Sequence, residues 1–289
     1  MLRELTDELV DAALADVRSE VGESLAPLVS GTTGWDGFED CDLVLEAVVE
    51  QLPVKQEVFR KLRELAPNAI LASNTSSLSL AEMGADVGLH FFNPVAVLPL
   101  VEIVTHDDTA DEAVATAWDI CKKLRKRGVV TRDAPGFVVN RVLTRMTSVL
   151  MDSLEHGNTV EETDEAMLRL GMPMAPSVLL QMVGPKVAYH TAETMHAAFP
   201  ERFPLSPTLR NYADGTDEIV VEEHCPKTVD EITDAVLDAI GDEIERLLEE
   251  RVVAEAADVD TSLLLGAGFP FFLGGITPHL HRRSAALRA

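Results

Sequence analysis

The sequence predicts an α/β fold in two parts: an incomplete doubly wound parallel-sheet domain, followed by an all-α domain made of two related helical units. Three observations predict it. Apolar, strand-like runs alternate with helical periodicity as far as about Ala134. After Pro135 helical patterns take over and strand signals become few. Within that second half one stretch recurs: "LMDSLEHGNTVEETDEAMLRLGMPMAP" (150–176) and "EIERLLEERVVAEAADVDTSLLLGAGFPFF" (243–272) both run amphipathic helix, short loop, Asp-bearing helix, Gly-x-Pro.

The elements follow in order. Residues 4–29 have helical periodicity. "DLVLEAVVE" (42–50) opens with a continuous apolar run, as expected of a buried parallel strand. A helix over Val54–Leu65 is stopped by Pro67. "AILASNTSS" (69–77) reads as a strand ending in small polar residues, and "VGLHFF" and "LVEIV" as two more strands. Asp111–Arg127 is a helix, and "VVTRDAPGF" a short strand closed by the Pro135–Gly136 break. Helical patterns then cover 137–200 and 229–265, joined by a Pro- and acid-rich linker around 200–228.

The net charge of −25 argues against nucleic acid or an anionic membrane surface as partner. Much of the acid lies in Asp230–Asp260 and reads as a solvated helix face. Cys41, Cys121 and Cys225 are scattered with no CxxC, which suggests neither a zinc site nor a disulfide framework and suits a reducing cytoplasm. No HExxH and no GxSxG is present, so no metal and no nucleophile elbow is expected. The longest apolar run, "LLLGAGFPFFLGGI", is too short and too glycine-rich to span a bilayer.

Three segments carry candidate chemistry. "SNTSS" (73–77) places hydroxyls and an amide at the carboxyl edge of the sheet, where ligands bind in open α/β folds; the same residues also suit a helix N-cap, and the two roles can coexist. "LHFFNPVAVLPLVEIV" (89–104) sets His90 and Glu102 into an apolar background. A glutamate bonded to one imidazole nitrogen fixes the tautomer and leaves the other nitrogen to take a proton from a substrate hydroxyl. A satisfied core histidine beside a surface glutamate is the competing reading. "PGFVVNR" (135–141) puts Asn140 at the start of the first helical unit, able to reach back toward a cleft or simply to sit in a helix's first turn. "CKKLRKRG" (121–128), the one basic cluster, reads as a solvated helix C-terminus.

Taken in order, "DLVLEAVVEQLPVK", "ILASNTSSL", "GLHFFNPVAVLPLVEIV", "DAPGFVVNR" and "GMPMAP" resemble the L-3-hydroxyacyl-CoA dehydrogenase family. The sequence is most similar to the dehydrogenase module of multifunctional fatty-acid oxidation proteins. That resemblance implies a partial NAD-binding (Rossmann-like) domain over 1–134, a helical dehydrogenase unit over 135–215 and a second helical repeat over 216–289. It implies NAD as cofactor and L-3-hydroxyacyl-CoA as substrate of a β-oxidation step, with other β-oxidation enzymes or a second copy as partners. It also implies roles: His90 as base, Glu102 as its orienter, and Ser76 and Asn140 as hydrogen-bond partners of the reacting oxygen. Ala47, Glu50, Lys55 and Asn93 match positions at the nicotinamide end of the cofactor.

A dinucleotide-binding domain opens with strand, GxGxxG and helix. Gly31, Gly34 and Gly37 are instead spaced GxxGxxG, are expected to follow no strand, and match a later family segment. The family's first βαβ unit is therefore expected to be missing, with weakened NAD affinity as the consequence. The alternative reading is a catalytically impaired fragment with a scaffold or interaction role.

Overall fold

The computed structural model describes residues 1–288, which fall into two compact units: Met1–Val44 with Arg60–Ile70, and Leu45–Phe59 with the chain from Leu71 onward. In the first unit the two-residue strand β1 (Leu2–Arg3) pairs in parallel with β2 (Gly31–Thr32) across helix α1 (Asp7–Val21). Thr6 caps α1 by accepting from the Leu9 amide, and Asp7 and Glu8 lie in its first turn, where the helix dipole favours acids. The glycine spacing thus does begin in a strand, contrary to the expectation, because Gly31 itself belongs to β2. After Gly37 the chain makes a single 3₁₀ turn (Phe38–Asp40), not a helix.

The main sheet has the order β3-β4-β5-β6-β7: Leu43–Glu46, Ile70–Ser73, Val87–Phe91, Leu100–Thr105 and Arg127–Arg132. β3 is shorter than the apolar run suggested, and its Leu45 is exposed. The helices interleaved with these strands are α2 (Leu52–Leu65), the short α3 (Leu80–Met83) and α4 (Asp111–Lys123). β4–β5 and β6–β7 are parallel, while β5–β6 is antiparallel. The short connection from Phe92 to Pro99 is the reason, since parallel neighbours need a long crossover. Lys126 helps hold this connection by donating to the carbonyls of Val95 (2.5 Å) and Leu98 (2.7 Å). A member of the basic cluster therefore has a structural task that its position in the sequence did not disclose.

The C-terminal half is helical: α5 (Val139–Glu155), α6 (Val160–Leu170), α7 (Pro176–Val183), α8 (Pro185–Ala198), α9 (Pro207–Asp214), α10 (Val229–Glu249), α11 (Ala256–Gly266) and α12 (Ile276–Arg288). Capping boxes at Thr159/Glu162 and Thr228/Glu231 start α6 and α10. Val142, Met146 and Leu150 of α5 share one core with Ile232, Val236 and Ile240 of α10. The sequence repeat has a structural counterpart. Asp164 of α6 accepts the Ser177 amide and hydroxyl (2.9 and 2.5 Å) at the start of α7, and Asp260 of α11 accepts the Thr277 amide and hydroxyl (2.8 and 2.6 Å) at the start of α12.

The two Gly-x-Pro turns also face each other. A Cβ on Gly171 would meet the Phe272 ring at 2.5 Å, and one on Gly268 would meet Pro173 at 2.9 Å. Both glycines have left-handed φ, +100° and +68°. Gly171→Ala is expected to lower stability by about 1–3 kcal/mol, from backbone strain before any repacking is counted. Urea unfolding measures it, and a neutral variant would mean that the backbone at Gly171 accommodates an alanine without strain.

Candidate active site

His90 and Glu102 are register partners on the antiparallel pair β5–β6. Residues directly opposite on one face lie within side-chain reach, and His90 Nδ1 sits 2.6 Å from Glu102 Oε2. Both are buried, His90 to 4% exposure and Glu102 to 0%. The other oxygen of Glu102 accepts the amides of Val138 (3.1 Å) and Val139 (3.0 Å). These are first-turn donors of α5 that have no partner within the helix, and the positive end of the helix dipole favours a carboxylate there. A carboxylate already accepting two N–H groups is an acceptor toward the imidazole as well, so Nδ1–H donates and Nε2 keeps its lone pair. No hydrogen bond from a described residue occupies Nε2. Phe92 meets the imidazole edge-on at 4.5 Å between ring centroids, and Phe137 lies at 5.5 Å.

The turn that aims α5 at Glu102 is the Pro-Gly-Phe break. Gly136 (φ +73°) and Phe137 (φ +46°) are consecutive left-handed residues, and a Cβ on Gly136 would reach the Arg141 backbone at 3.1 Å. Asn140 lies next in the first turn of α5 and donates from Nδ2 to the Ser76 carbonyl at 3.3 Å. The Ser76 amide in turn donates to Glu50 Oε1 (3.0 Å), which also accepts the Thr75 hydroxyl (2.5 Å). Burial pushes the Glu50 carboxyl up, but the Thr75 hydroxyl, the Lys55 ammonium and the Ser76 amide together outweigh it and leave the group below the usual carboxylate range.

Lys55 is 1% exposed. Its ammonium bridges Glu46 (2.7 Å) and Glu50 (3.2 Å) and is therefore already neutralised. Glu46 is a hub that the sequence pattern did not single out. It also accepts the Ser73 hydroxyl (2.7 Å) and the Val48 amide (2.6 Å). The signal was available, since an acid inside the apolar "DLVLEAVVE" run demands partners as much as Glu102 does. Asn74, the amide of the SNTSS segment, has a structural task rather than an open one. It ties β4 to its neighbours: its side-chain oxygen accepts the Phe91 amide (3.1 Å), and its backbone N–H donates to the Glu46 carbonyl (2.8 Å).

Six of the eight candidate residues thus form one connected set: Lys55, Glu50, Ser76 and Asn140 in a chain of hydrogen bonds, then α5, Glu102 and His90. Ala47 and Asn93 stand apart. Both are exposed, at the carboxyl ends of β3 and β5, and Asn93 precedes Pro94 through a cis bond. Among the described residues no hydrogen bond ties either to the set. A cavity of about 540 Å³ begins at Asn140 and runs along α5 past Leu143, Thr147, Met151 and Leu154 toward α7 and α8. Its volume is that of a small-molecule site.

Residues 2–134 match the family model described as 3-hydroxyacyl-CoA dehydrogenase, NAD binding domain, and residues 136–217 match 3-hydroxyacyl-CoA dehydrogenase, C-terminal domain. The chain belongs to the 3-hydroxyacyl-CoA dehydrogenase family. Among its relatives is the fatty acid oxidation complex subunit alpha of Acinetobacter baylyi, 31% identical over 93% of this chain and 43% of that protein. FadB2 of M. tuberculosis is a solved structure 33% identical to it, with a TM-score of 0.68 over 73% of this chain and 84% of the other. The 3-hydroxybutyryl-CoA dehydrogenase of Escherichia coli K12 shares the fold, with a TM-score of 0.79 over 93% of this chain and 84% of that one at 22% identity. This member of the dehydrogenase family spans less than half the length of the curated relatives it matches.

NAD is the family's cofactor, and the part of the chain matched to its binding domain bears the polar set at the carboxyl ends of β3 and β4. Among the described residues no glycine-rich turn joins a strand to a helix N-terminus, the element that holds a pyrophosphate. Nor is any helix among them long and apolar enough to cross a membrane.

Proposed function

We propose that the chain performs the NAD-dependent oxidation of an L-3-hydroxyacyl-CoA to the 3-oxoacyl-CoA in fatty-acid β-oxidation. The single observation that carries the reading is the buried His90–Glu102 pair, with Nδ1 bonded and Nε2 left open. Nε2 takes the proton of the C3 hydroxyl, and Glu102 supports the imidazolium that forms. Ser76 and Asn140 hydrogen-bond the reacting oxygen as it becomes a carbonyl. Ala47, Glu50 and Asn93 face the nicotinamide, while Lys55 acts through the two carboxylates it holds. NAD, when bound, supplies the hydride acceptor. The cavity that begins at Asn140 takes the acyl chain.

On this reading residues 1–134 serve the cofactor, 135–215 the first helical unit and 216–289 the second. The setting is cytoplasmic, with other β-oxidation enzymes or a second copy as partners and neither nucleic acid nor membrane among them. A second reading, an impaired chain with a scaffold role, is favoured by one observation: no GxGxxG lies within these 289 residues. Two measurements separate them, namely oxidation of L-3-hydroxybutyryl-CoA followed as NADH formation, and the shift of Tm on adding NAD. Turnover with a positive shift is expected. Absence of both would remove the first reading for this chain and leave the second.

A further inference from the structure

His156, Glu223 and Cys225 converge at the C-terminal end of α5, each with a ligand atom within 4.8 Å of those of the other two. The sequence alone concealed the grouping, because His156 lies far from the other two along the chain. Two backbone bonds create it. The Glu222 amide donates to the Glu155 carbonyl (2.8 Å) and the Cys225 amide to the His156 carbonyl (3.0 Å), pinning the connector between α9 and α10 against the end of α5. His224, between the two ligands, packs its ring on Gly157, where any Cβ would collide with it.

We infer that this cluster is a binding site for a thiophilic divalent cation of the zinc type. The donor set is thiolate, imidazole and carboxylate, the three kinds of ligand that zinc takes in proteins. The histidine is prepared for it. His156 Nδ1 donates to the Asp152 carbonyl at 2.7 Å, with the Asp152 carboxylate 3.3 Å away, so Nε2 carries the free lone pair. A ligand histidine whose other nitrogen is held by a carbonyl or carboxylate is the usual supporting arrangement of a metal site. The cluster lies at the C-terminal end of α5, where the negative end of the helix dipole favours a cation. The Lys227 ammonium, which follows the cluster in the chain, is already paired with Asp152 at 3.0 Å. Tetrahedral zinc would need the ligand atoms roughly 3.5 Å apart, so closure from the present spacing takes small side-chain rotations. The fourth position is left to water. Binding displaces the Cys225 proton, and the bound ion joins the connector between the two helical units to the helix that carries Asn140.

The test uses the full chain freed of metal by a chelator and titrated with Co²⁺ alone, then Zn²⁺. One equivalent of Co²⁺ is expected to give a thiolate-to-cobalt charge-transfer band with tetrahedral d–d absorption, and Zn²⁺ to bleach both and raise Tm. Cys225→Ser, a change at an exposed residue, should remove the charge-transfer band. His156→Gln should weaken binding at least tenfold, and Cys41→Ser should change neither. A titration without the band, or a band that survives Cys225→Ser, overturns the site.

Discussion

Glu102→Gln is expected to cost about 10²–10⁴-fold in the rate of 3-hydroxyacyl-CoA oxidation, although the change is isosteric. The reason is tautomeric. The amides of Val138 and Val139 demand an acceptor, so the glutamine carbonyl must face α5 and its NH₂ must face His90. That NH₂ donates to Nδ1, which forces the imidazole proton onto Nε2, and a protonated Nε2 cannot accept the substrate proton. On the proposed reading Glu102 is a positioning residue, and its loss has a signature beyond a lower rate. Nitrogen NMR of the His90 ring should show Nδ1–H in the native chain and Nε2–H in the variant, whether or not NAD is bound. His90→Gln should lower the rate as far while leaving the helices folded. An unchanged tautomer in Glu102→Gln, or an unchanged rate in His90→Gln, would sink the proposed base.

Arg141→Met is expected to destabilise the chain by about 3 kcal/mol, a large share of a typical folding free energy. Arg141 is 0% exposed and its guanidinium bonds Glu243 (2.5 Å) and Glu250 (2.6 Å) of the second helical unit. Phe199 covers it at 4.7 Å from the ring centroid. Methionine fills the volume but leaves Glu243, itself buried, without its main cation. Arg202 lies 3.2 Å from Glu243 and keeps the loss at the lower end of the range for a broken buried pair. Adding Glu243→Leu should restore part of the stability, because removing both partners also removes the stranded charge. Urea unfolding of the two single variants and the double variant measures the coupling; a loss under about 1 kcal/mol would show that the pair is replaceable by solvent.

Arg141 and Glu243 also mark where sequence reading stopped. The acid-rich stretch Asp230–Asp260 reads as a solvated face, and Asp230, Asp234, Asp238 and Asp242 are indeed exposed or half-exposed. Glu243 turns inward instead, one residue after Asp242, because α10 presents it to a cation supplied from about a hundred residues earlier in the chain. Periodicity tells which side of a helix is polar, but it carries no information about a partner on another helix.

By itself the sequence determined what local physics encodes. Strand and helix alternation, the Pro-Gly break and the repeated Asp and Gly-x-Pro positions depend on neighbours a few residues apart, and such patterns survive in a linear string. It also set His90 and Glu102 apart, since an ionisable residue in an apolar strand is conspicuous wherever it occurs. The tertiary structure alone decided what those residues meet. It paired His90 with Glu102 through antiparallel register, and it brought the start of α5 onto the carboxylate to set the tautomer. It also buried Lys55 between Glu46 and Glu50, where its charge is already neutralised. Each of these depends on contacts between segments distant in sequence, whose geometry comes from packing the whole chain and not from the composition of any one stretch.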